Sequence, residues 1–121
     1  MTIYTSYFAK EAKLPPHIVP VSICRYRPRW FTGLQYQKLA PSQELLYNYK
    51  STGNTEYYTT VFNNYLQSLN FKAVQQDLAE LSRGYDLALL CYERPIDFCH
   101  RHLVAQWLEA NGQPCQEFAF S

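Results

Sequence analysis

The stretch YDLALLCY, residues 85–92, decides which fold this sequence predicts. Its apolar residues are consecutive. They do not alternate with polar residues, as they would in a strand with one face exposed to solvent. We therefore expect a central strand that is covered on both faces. Segments with helical spacing of apolar residues lie on both sides of it, and shorter β-prone segments lie further out. Helices interleaved with strands in this way predict a small three-layer α/β domain with a mostly parallel sheet.

The other predicted elements follow from local signals. Ser42 and Asn54 stand where helix N-caps belong, and Gly53 and Gly112 stand where helices end. The predicted helices cover residues 42–52, 54–69, 72–83 and 97–110, and the remaining predicted strands cover residues 3–8, 18–23 and 115–120. Prolines and aromatic residues fill residues 25–41, which predicts an ordered loop held by aromatic packing.

Composition limits the classes of function. The chain has 121 residues and is 47% hydrophobic, which suits one domain with a continuous core. Eleven Lys and Arg residues against ten Asp and Glu give a formal charge of +1, so no overall field attracts nucleic acid or an anionic membrane. The start of the chain lacks the pattern of an export signal, and no apolar run is long enough to cross a membrane, so we expect a cytoplasmic protein. The four cysteines, Cys24, Cys91, Cys99 and Cys115, are then expected to be reduced thiols.

Residues able to do chemistry gather where the central strand passes into the last helix. Cys91 and Glu93 end the strand, and Cys99, His100 and Arg101 begin the helix. In doubly wound α/β domains ligands bind beyond the carboxyl ends of the strands, where such loops lie. The unpaired N–H groups of a helix N-terminus favour a thiolate or a bound anion, and the guanidinium of Arg101 suits phosphate or carboxylate. The pattern predicts an anion-binding site with thiols at this corner.

Each of these residues also has a plainer interpretation. Cys91 within an apolar strand is typical of a small core residue, and His100 on the apolar face of its helix is typical of a buried, hydrogen-bonded histidine. Glu93 with Arg94 and Arg101 is typical of an ordinary surface ion pair. Their concentration within residues 91–101 favours a shared function over separate packing roles.

The segment ALLCYERPIDFCHRHLVAQWL, residues 88–108, resembles the closing motif of the domain-of-unknown-function family 488. In that motif a strand ending LLCYE leads into a helix that opens FCHR. Four upstream segments are similar to one branch of the same family: YTSYF at 4–8, PVSI at 20–23, PRW at 28–30 and LAPS at 39–42. The resemblance implies a small Rossmann-like α/β domain of bacteria or their phages, and it implies no particular activity.

One position departs from the pattern of that family. Other members carry an acidic residue and an arginine just after the second strand, whereas this sequence has Ile23, Cys24 and Arg25 there. The acid is missing, which puts any mechanism that needs it in doubt. Cys24 and Arg25 instead join the expected site.

One hypothesis is an enzyme, a hydrolase or transferase acting on a nucleotide-like or otherwise anionic small molecule. The candidate catalytic residues are Cys99, His100 and Glu93, and the candidate ligand-binding residues are Arg101, Cys91, Cys24 and Arg25. In this hypothesis Arg101 and the helix N-terminus hold the anion. The imidazole or the carboxylate acts as general base, and the Cys99 thiol acts as nucleophile.

Two other hypotheses use the same corner. A binding module would sequester a ligand in the pocket, or modulate a partner protein, without turnover. A metal site would take its donors from Cys24, Cys91, Cys99 and His100, which suit zinc or iron. Adjacent ligands at Cys99 and His100 fit one ion poorly. The residues identify no cofactor.

Nucleic acid binding is a fourth hypothesis. Arg25, Arg27 and Arg29 are interleaved with the aromatic residues Tyr26 and Trp30, a pattern that suits base stacking and phosphate contacts. The balanced overall charge favours a solvated strand end with packed aromatic residues instead.

Overall fold

A five-stranded, all-parallel sheet forms the centre of the protein, which a computed structural model describes over residues 1–120. The strands are β1 (Ile3–Tyr7), β2 (Ile18–Ser22), β3 (Leu34–Gln35), β4 (Asp86–Cys91) and β5 (Cys115–Glu117). They lie in the order β3-β2-β4-β1-β5, and every neighbouring pair is parallel. The fold is therefore the Rossmann-like α/β domain that the sequence predicts.

Strand β4 lies in the middle of the sheet, hydrogen-bonded to β2 on one side and to β1 on the other. In register, Leu89 stands opposite Val21 of β2 and Thr5 of β1. The side chains of residues 87–91 are all fully buried. The uninterrupted apolar run exists because water reaches neither face of this strand, and the predicted central strand is confirmed.

Four α-helices accompany the sheet: α1 (Gln43–Thr52), α2 (Thr55–Ser68), α3 (Phe71–Ser82) and α4 (His100–Ala110). The first three begin where the sequence provides caps. The side chains of Ser42, Asn54 and Asn70 each accept a hydrogen bond from the backbone N–H three residues further on. These bonds satisfy N–H groups that have no partner within the helix. None of the helices in residues 1–120 has the length and apolar composition needed to cross a membrane.

Helix α4 begins at His100, three residues later than the spacing predicts. The Asp97 side chain does not cap the helix, because its carboxylate accepts a hydrogen bond of 3.1 Å from Arg94 Nε. Cys99 takes the N-cap position with an extended backbone, at φ −154° and ψ 140°. Because the helix starts later, Cys99 caps its N-terminus and is not part of its first turn.

The two faces of the sheet are covered differently. The connections from β1 to β2 and from β2 to β3 run toward one edge of the sheet, and the connections from β3 to β4 and from β4 to β5 run toward the other. Right-handed crossovers place these two pairs on opposite faces. The α-helices share one face, where Leu103, Val104 and Trp107 of α4 are buried as predicted, and a 3₁₀-helix, Phe8–Lys13, lies on the other. A crevice opens at the carboxyl ends, where β2 and β4 send the chain to opposite faces.

Strand β3 is the element that sequence analysis misses. Its residues Leu34 and Gln35 lie inside the predicted loop and pair with Val21 and Ser22 at the edge of the sheet. A strand of this length has no periodic pattern to detect.

We expect Leu89→Ala to lower the free energy of unfolding by about 2 to 5 kcal/mol, because it leaves a cavity in the buried central strand. Leu34→Ala is the matched control, since Leu34 is 41% exposed on the edge strand, and it should cost less than about 1 kcal/mol. Denaturant unfolding followed by circular dichroism measures both changes. Equal losses from the two variants would contradict the central position of β4.

Candidate functional site

The carboxyl ends of β2 and β4 and the start of α4 surround a cavity of about 310 Å³. Its walls include five of the seven residues that the sequence singles out: Cys24, Arg25, Glu93, Cys99 and His100. The other two, Cys91 and Arg101, do not line it. The cavity lies at the crevice where α/β domains of this kind bind ligands.

Cys99 presents a thiol to this cavity. It is the N-cap residue of α4, and only 3% of its surface is exposed. The adjacent Cys91 side chain lowers the pKa of Cys99 far below that of an ordinary thiol, and His100 and the Arg101 N–H contribute further. Together these groups outweigh burial, which by itself raises the pKa. These contacts favour the thiolate form of Cys99.

Cys91 is the protonated partner of Cys99. Its side chain, at the end of β4, is fully buried and contacts the thiols of both Cys24 and Cys99. Complete burial raises the pKa of Cys91 well above its usual value, so this sulfur keeps its proton. The Cys24 thiol donates to the Leu90 carbonyl oxygen at 3.8 Å.

His100 joins the thiols to the end of β2. Its Nε2 lies 2.7 Å from the Ile23 carbonyl oxygen, and because a carbonyl oxygen only accepts, Nε2 carries the hydrogen. The Cys91 sulfur lies 3.5 Å from Nδ1 and 3.6 Å from Nε2, and the ring packs edge-on against Phe62. The imidazole is thus buried and held in one orientation beside the sulfur atoms.

Glu93 supplies a carboxyl group to the wall of the cavity. Partial burial raises the pKa of this group above its ordinary value, and the neighbouring Cys99 raises it further. A carboxyl group with a raised pKa exchanges its proton nearer to neutral pH, which is the property that a general acid or base requires.

Arg101 is placed differently from the sequence expectation. Its fully buried guanidinium donates from Nε and Nη2 to the two carboxylate oxygens of Glu117, at 3.0 and 2.9 Å. Nη1 donates to the Glu93 carbonyl oxygen at 2.7 Å, so Glu93 contributes its backbone and not its carboxylate. Thr5 Oγ1 also donates to Glu117, at 2.7 Å. With these donors satisfied inside the protein, Arg101 ties α4 to β5 and does not present its fork to the cavity.

The positive charge that faces the cavity comes from Arg25 and Lys50. Arg25 Nε donates to the Pro41 carbonyl oxygen at 3.0 Å, which holds the side chain in place. Lys50 lies on α1 and was not predicted from the sequence. A signal for it exists, because Leu46, Tyr49 and Lys50 recur at i, i+3 and i+4 and all three line the cavity.

Aromatic rings from three separate segments close the cavity. The Phe98 ring, just before α4, lies 5.4 Å from Tyr49 of α1 and 5.1 Å from Tyr58 of α2, measured between ring centroids. All three residues line the cavity. Planar, largely apolar walls of this kind suit a ligand with a flat ring.

Three of the four predicted metal donors lie together. The sulfur atoms of Cys24 and Cys91 and a ring nitrogen of His100 lie within 4.8 Å of one another, close enough to share one ion. Cys99, which faces the cavity, is not part of this group. Cys115 lies apart on β5, where burial raises its pKa to about 12 and leaves it a poor nucleophile.

Comparison with known proteins identifies the family. The profile of DUF488-N3a, described as the active DUF488-N3 subclade, matches residues 7–112. Neither a curated protein nor a solved structure matches the chain. The profile match confirms the resemblance that the closing motif and the upstream segments indicate.

We expect Glu117→Gln to lower the free energy of unfolding by about 3 to 5 kcal/mol, because the buried Arg101 guanidinium loses its counter-ion. Asp97→Asn is the matched control, since it breaks the exposed ion pair with Arg94 and should cost less than about 1 kcal/mol. Thermal or denaturant unfolding of the two variants tests this. A Glu117→Gln protein as stable as the control would show that Arg101 does not depend on this pair.

Proposed function

The chain belongs to the DUF488-N3a family, and we propose that it is a hydrolase or transferase in which Cys99 forms a covalent bond to an anionic, nucleotide-like small molecule. The observation that carries the proposal is the position of Cys99, at a helix N-terminus on the cavity wall, together with His100 and Glu93. A thiol, an imidazole and a carboxyl group around one cavity are the parts from which acyl- and phosphoryl-transfer sites are built. The description of the family as an active subclade supports turnover over binding alone.

The reaction needs two steps. In the first, the Cys99 thiolate attacks an acyl carbon or a phosphorus atom of the ligand. The new bond to sulfur forms, the bond to the leaving group breaks with its electron pair, and protonated Glu93 gives the leaving group its proton. In the second, water or an acceptor hydroxyl attacks the same atom and gives its proton to the Glu93 carboxylate. The sulfur leaves as the thiolate, which restores both residues to their starting states.

Cys91 and His100 keep Cys99 ionised before the first step and after the second. The Cys91 thiol stays protonated because it is fully buried, and it lowers the pKa of the neighbouring Cys99. The Nε2 hydrogen of His100 is committed to the Ile23 carbonyl oxygen, so we assign His100 to positioning the thiolate rather than to proton transfer with the ligand. Glu93 is then the general acid and base.

The ligand class follows from the other walls of the cavity. Arg25 and Lys50 supply the charge that an anionic group needs, in place of Arg101. The rings of Tyr49, Tyr58 and Phe98 supply flat apolar walls. A planar ring joined to a phosphate or carboxylate matches both features.

A metal site is the second candidate, favoured by the compact group Cys24, Cys91 and His100. These donors suit zinc, and Cys99 would then be a neighbour of the ion rather than a free nucleophile. Elemental analysis of protein purified without chelator decides between the two. Stoichiometric zinc that is lost in Cys24→Ser would favour the metal site, and zinc-free protein that reacts at Cys99 would favour thiol chemistry.

We expect iodoacetamide to alkylate Cys99 before the other cysteines, and almost as fast at about pH 6 as at about pH 8. The lowered pKa of Cys99 means that its thiolate is already formed at both values, whereas an ordinary thiol would react roughly 50- to 100-fold faster at the higher pH. Peptide mass spectrometry after timed labelling measures this, with Cys115 as the internal control. His100→Asn should restore part of the pH dependence. A steep rise in Cys99 labelling with pH in the unaltered protein would rule out the thiolate.

We expect activated anionic esters to leave an acyl or phosphoryl group on Cys99, and the adduct to accumulate in Glu93→Gln. Nitrophenolate leaves without a proton, so the Gln variant blocks only the second step, which needs a base. The probes are mono-4-nitrophenyl succinate and 4-nitrophenyl phosphate, followed by intact-protein mass and nitrophenolate release. Cys99→Ser should form no adduct and Cys115→Ser should behave like the unaltered chain. Probes that bind and return unchanged would favour the binding module.

A further inference from the structure

A group of aromatic and basic side chains borders the cavity and takes no part in the thiol chemistry. It consists of Tyr26, Arg27, Arg29, Trp30 and Tyr92, which we call the aromatic-basic surface. Tyr26 is 59% exposed, Trp30 60% and Tyr92 49%, although such rings are among the side chains that gain most from burial. Aromatic packing holds the loop, as the sequence predicts, but these three rings remain about half exposed or more. Exposed rings beside a cavity are typical of a binding surface.

A buried ring holds this surface in place from beneath. The Phe8 ring, which is 3% exposed, lies 6.1 Å from Trp30 and 5.1 Å from Tyr92 between centroids. Tyr92 Oη donates to the Tyr26 carbonyl oxygen at 2.8 Å, which joins the segment after β2 to the segment after β4. The exposed rings therefore stand on the protein core.

The loop that carries the surface is also closely packed. Phe31 lies under it, 5.2 Å from Phe8 between centroids. A Cβ atom on Gly33 would lie 2.6 Å from Phe31 Cζ, so glycine is needed for the loop to approach this ring. Arg27 Nη1 donates to the Gly33 carbonyl oxygen at 3.0 Å. A surface held in this way loses little entropy when it binds a partner.

Positive charge continues from the surface into the cavity. Arg25, Tyr26 and Tyr92 line the cavity, so the two features are continuous. Among the ion pairs formed within residues 1–120, none uses Arg25, Arg27 or Arg29. Within that range these arginines have no carboxylate partners, so they are free to contact the phosphates of a single strand. The exposed rings between them suit stacking on its bases.

We propose that the aromatic-basic surface binds single-stranded nucleic acid and directs one of its nucleotides into the cavity that holds Cys99. Bases stack on Tyr26 and Trp30, and the arginines contact the phosphates. A duplex fits less well, because its bases are already stacked and must be extruded to reach the rings. A protein partner fits less well, because it would need carboxylates matched to each arginine, whereas a phosphate backbone carries charge at every nucleotide. Binding itself is independent of catalysis, and only the entry of a nucleotide into the cavity rests on the proposed function.

Fluorescence anisotropy with a fluorescein-labelled oligo(dT) of about 12 nucleotides at low salt tests the proposal. We expect Trp30→Ala to weaken binding by about 5- to 100-fold, the range for loss of one stacked base, and Trp30→Phe to retain most of it. Tyr85→Ala is the matched control, because Tyr85 is 55% exposed and precedes β4, at the opposite end of the sheet. It should leave binding unchanged.

Salt dependence tests the arginines separately. Arg29→Gln should reduce the slope of log affinity against log salt by about 0.7, as expected for one lost phosphate contact to a single strand. Arg83→Gln, near the opposite end of the sheet, is the control and should leave the slope unchanged. Circular dichroism confirms that each variant is folded.

Four results would overturn the proposal: no binding of oligo(dT) at low salt, equal losses from Trp30→Ala and Tyr85→Ala, duplex bound as tightly as the single strand, or a dimer of the chain that Trp30→Ala dissociates. Cys99→Ser separates this proposal from the proposed function, since it should retain oligo(dT) binding. If the protein binds oligo(dT) through Trp30 but shows ordinary thiol reactivity at Cys99, the proposed nucleic acid surface stands and the proposed thiol enzyme is ruled out.

Discussion

Complete burial of residues 87–91 of β4 is the constraint on which the rest of the structure depends. A strand that is paired on both edges and covered on both faces has no wet side, so each side chain is apolar or finds its partner inside the protein. Cys91, the last residue of the strand, meets this condition through His100, whose Nδ1 lies 3.5 Å from its sulfur. Burial ends at the next residue, Tyr92, which is 49% exposed. The candidate site lies at this boundary between a dry strand and an open cavity.

The same boundary gives two cysteines opposite properties. Cys91 has no exposed surface and its pKa is raised, whereas Cys99 faces the cavity at a helix N-terminus and its pKa is lowered. Neither property belongs to cysteine as a residue type, since both follow from the surroundings of each sulfur. Titratable groups whose pKa values are pushed apart in this way are typical of functional sites. Cys115, buried on β5 beside the carboxylates of Glu109 and Glu117, has a raised pKa because both burial and negative charge disfavour a thiolate.

Arg101 shows how the far end of the chain supports the site. Its side chain turns inward to Glu117 of β5 and its backbone N–H contributes to the lowered pKa of Cys99. The ion pair therefore helps hold the first turn of α4 in the position that the thiolate requires. Edge strand β5 is short, and its contribution to the site is this carboxylate together with its pairing to β1. The exposed rings beside the cavity depend on the core in a similar way, because Phe8 supports Trp30 and Tyr92.

Local patterns in the sequence determined the central strand, the starts of the first three helices, the inward face of α4 and the corner where the site lies. Each depends on neighbours within a few residues, which a sequence displays directly. Only the three-dimensional structure decided between two local roles of Asp97, which bonds to Arg94 instead of capping the helix, so that α4 begins at His100. It also decided that Lys50 faces the cavity and that Arg101 does not, because those positions depend on contacts between segments far apart in the chain. The meeting of Cys24 with the other thiols has the same cause, since it requires β2 to lie beside β4, and their pairing joins residues more than 60 positions apart.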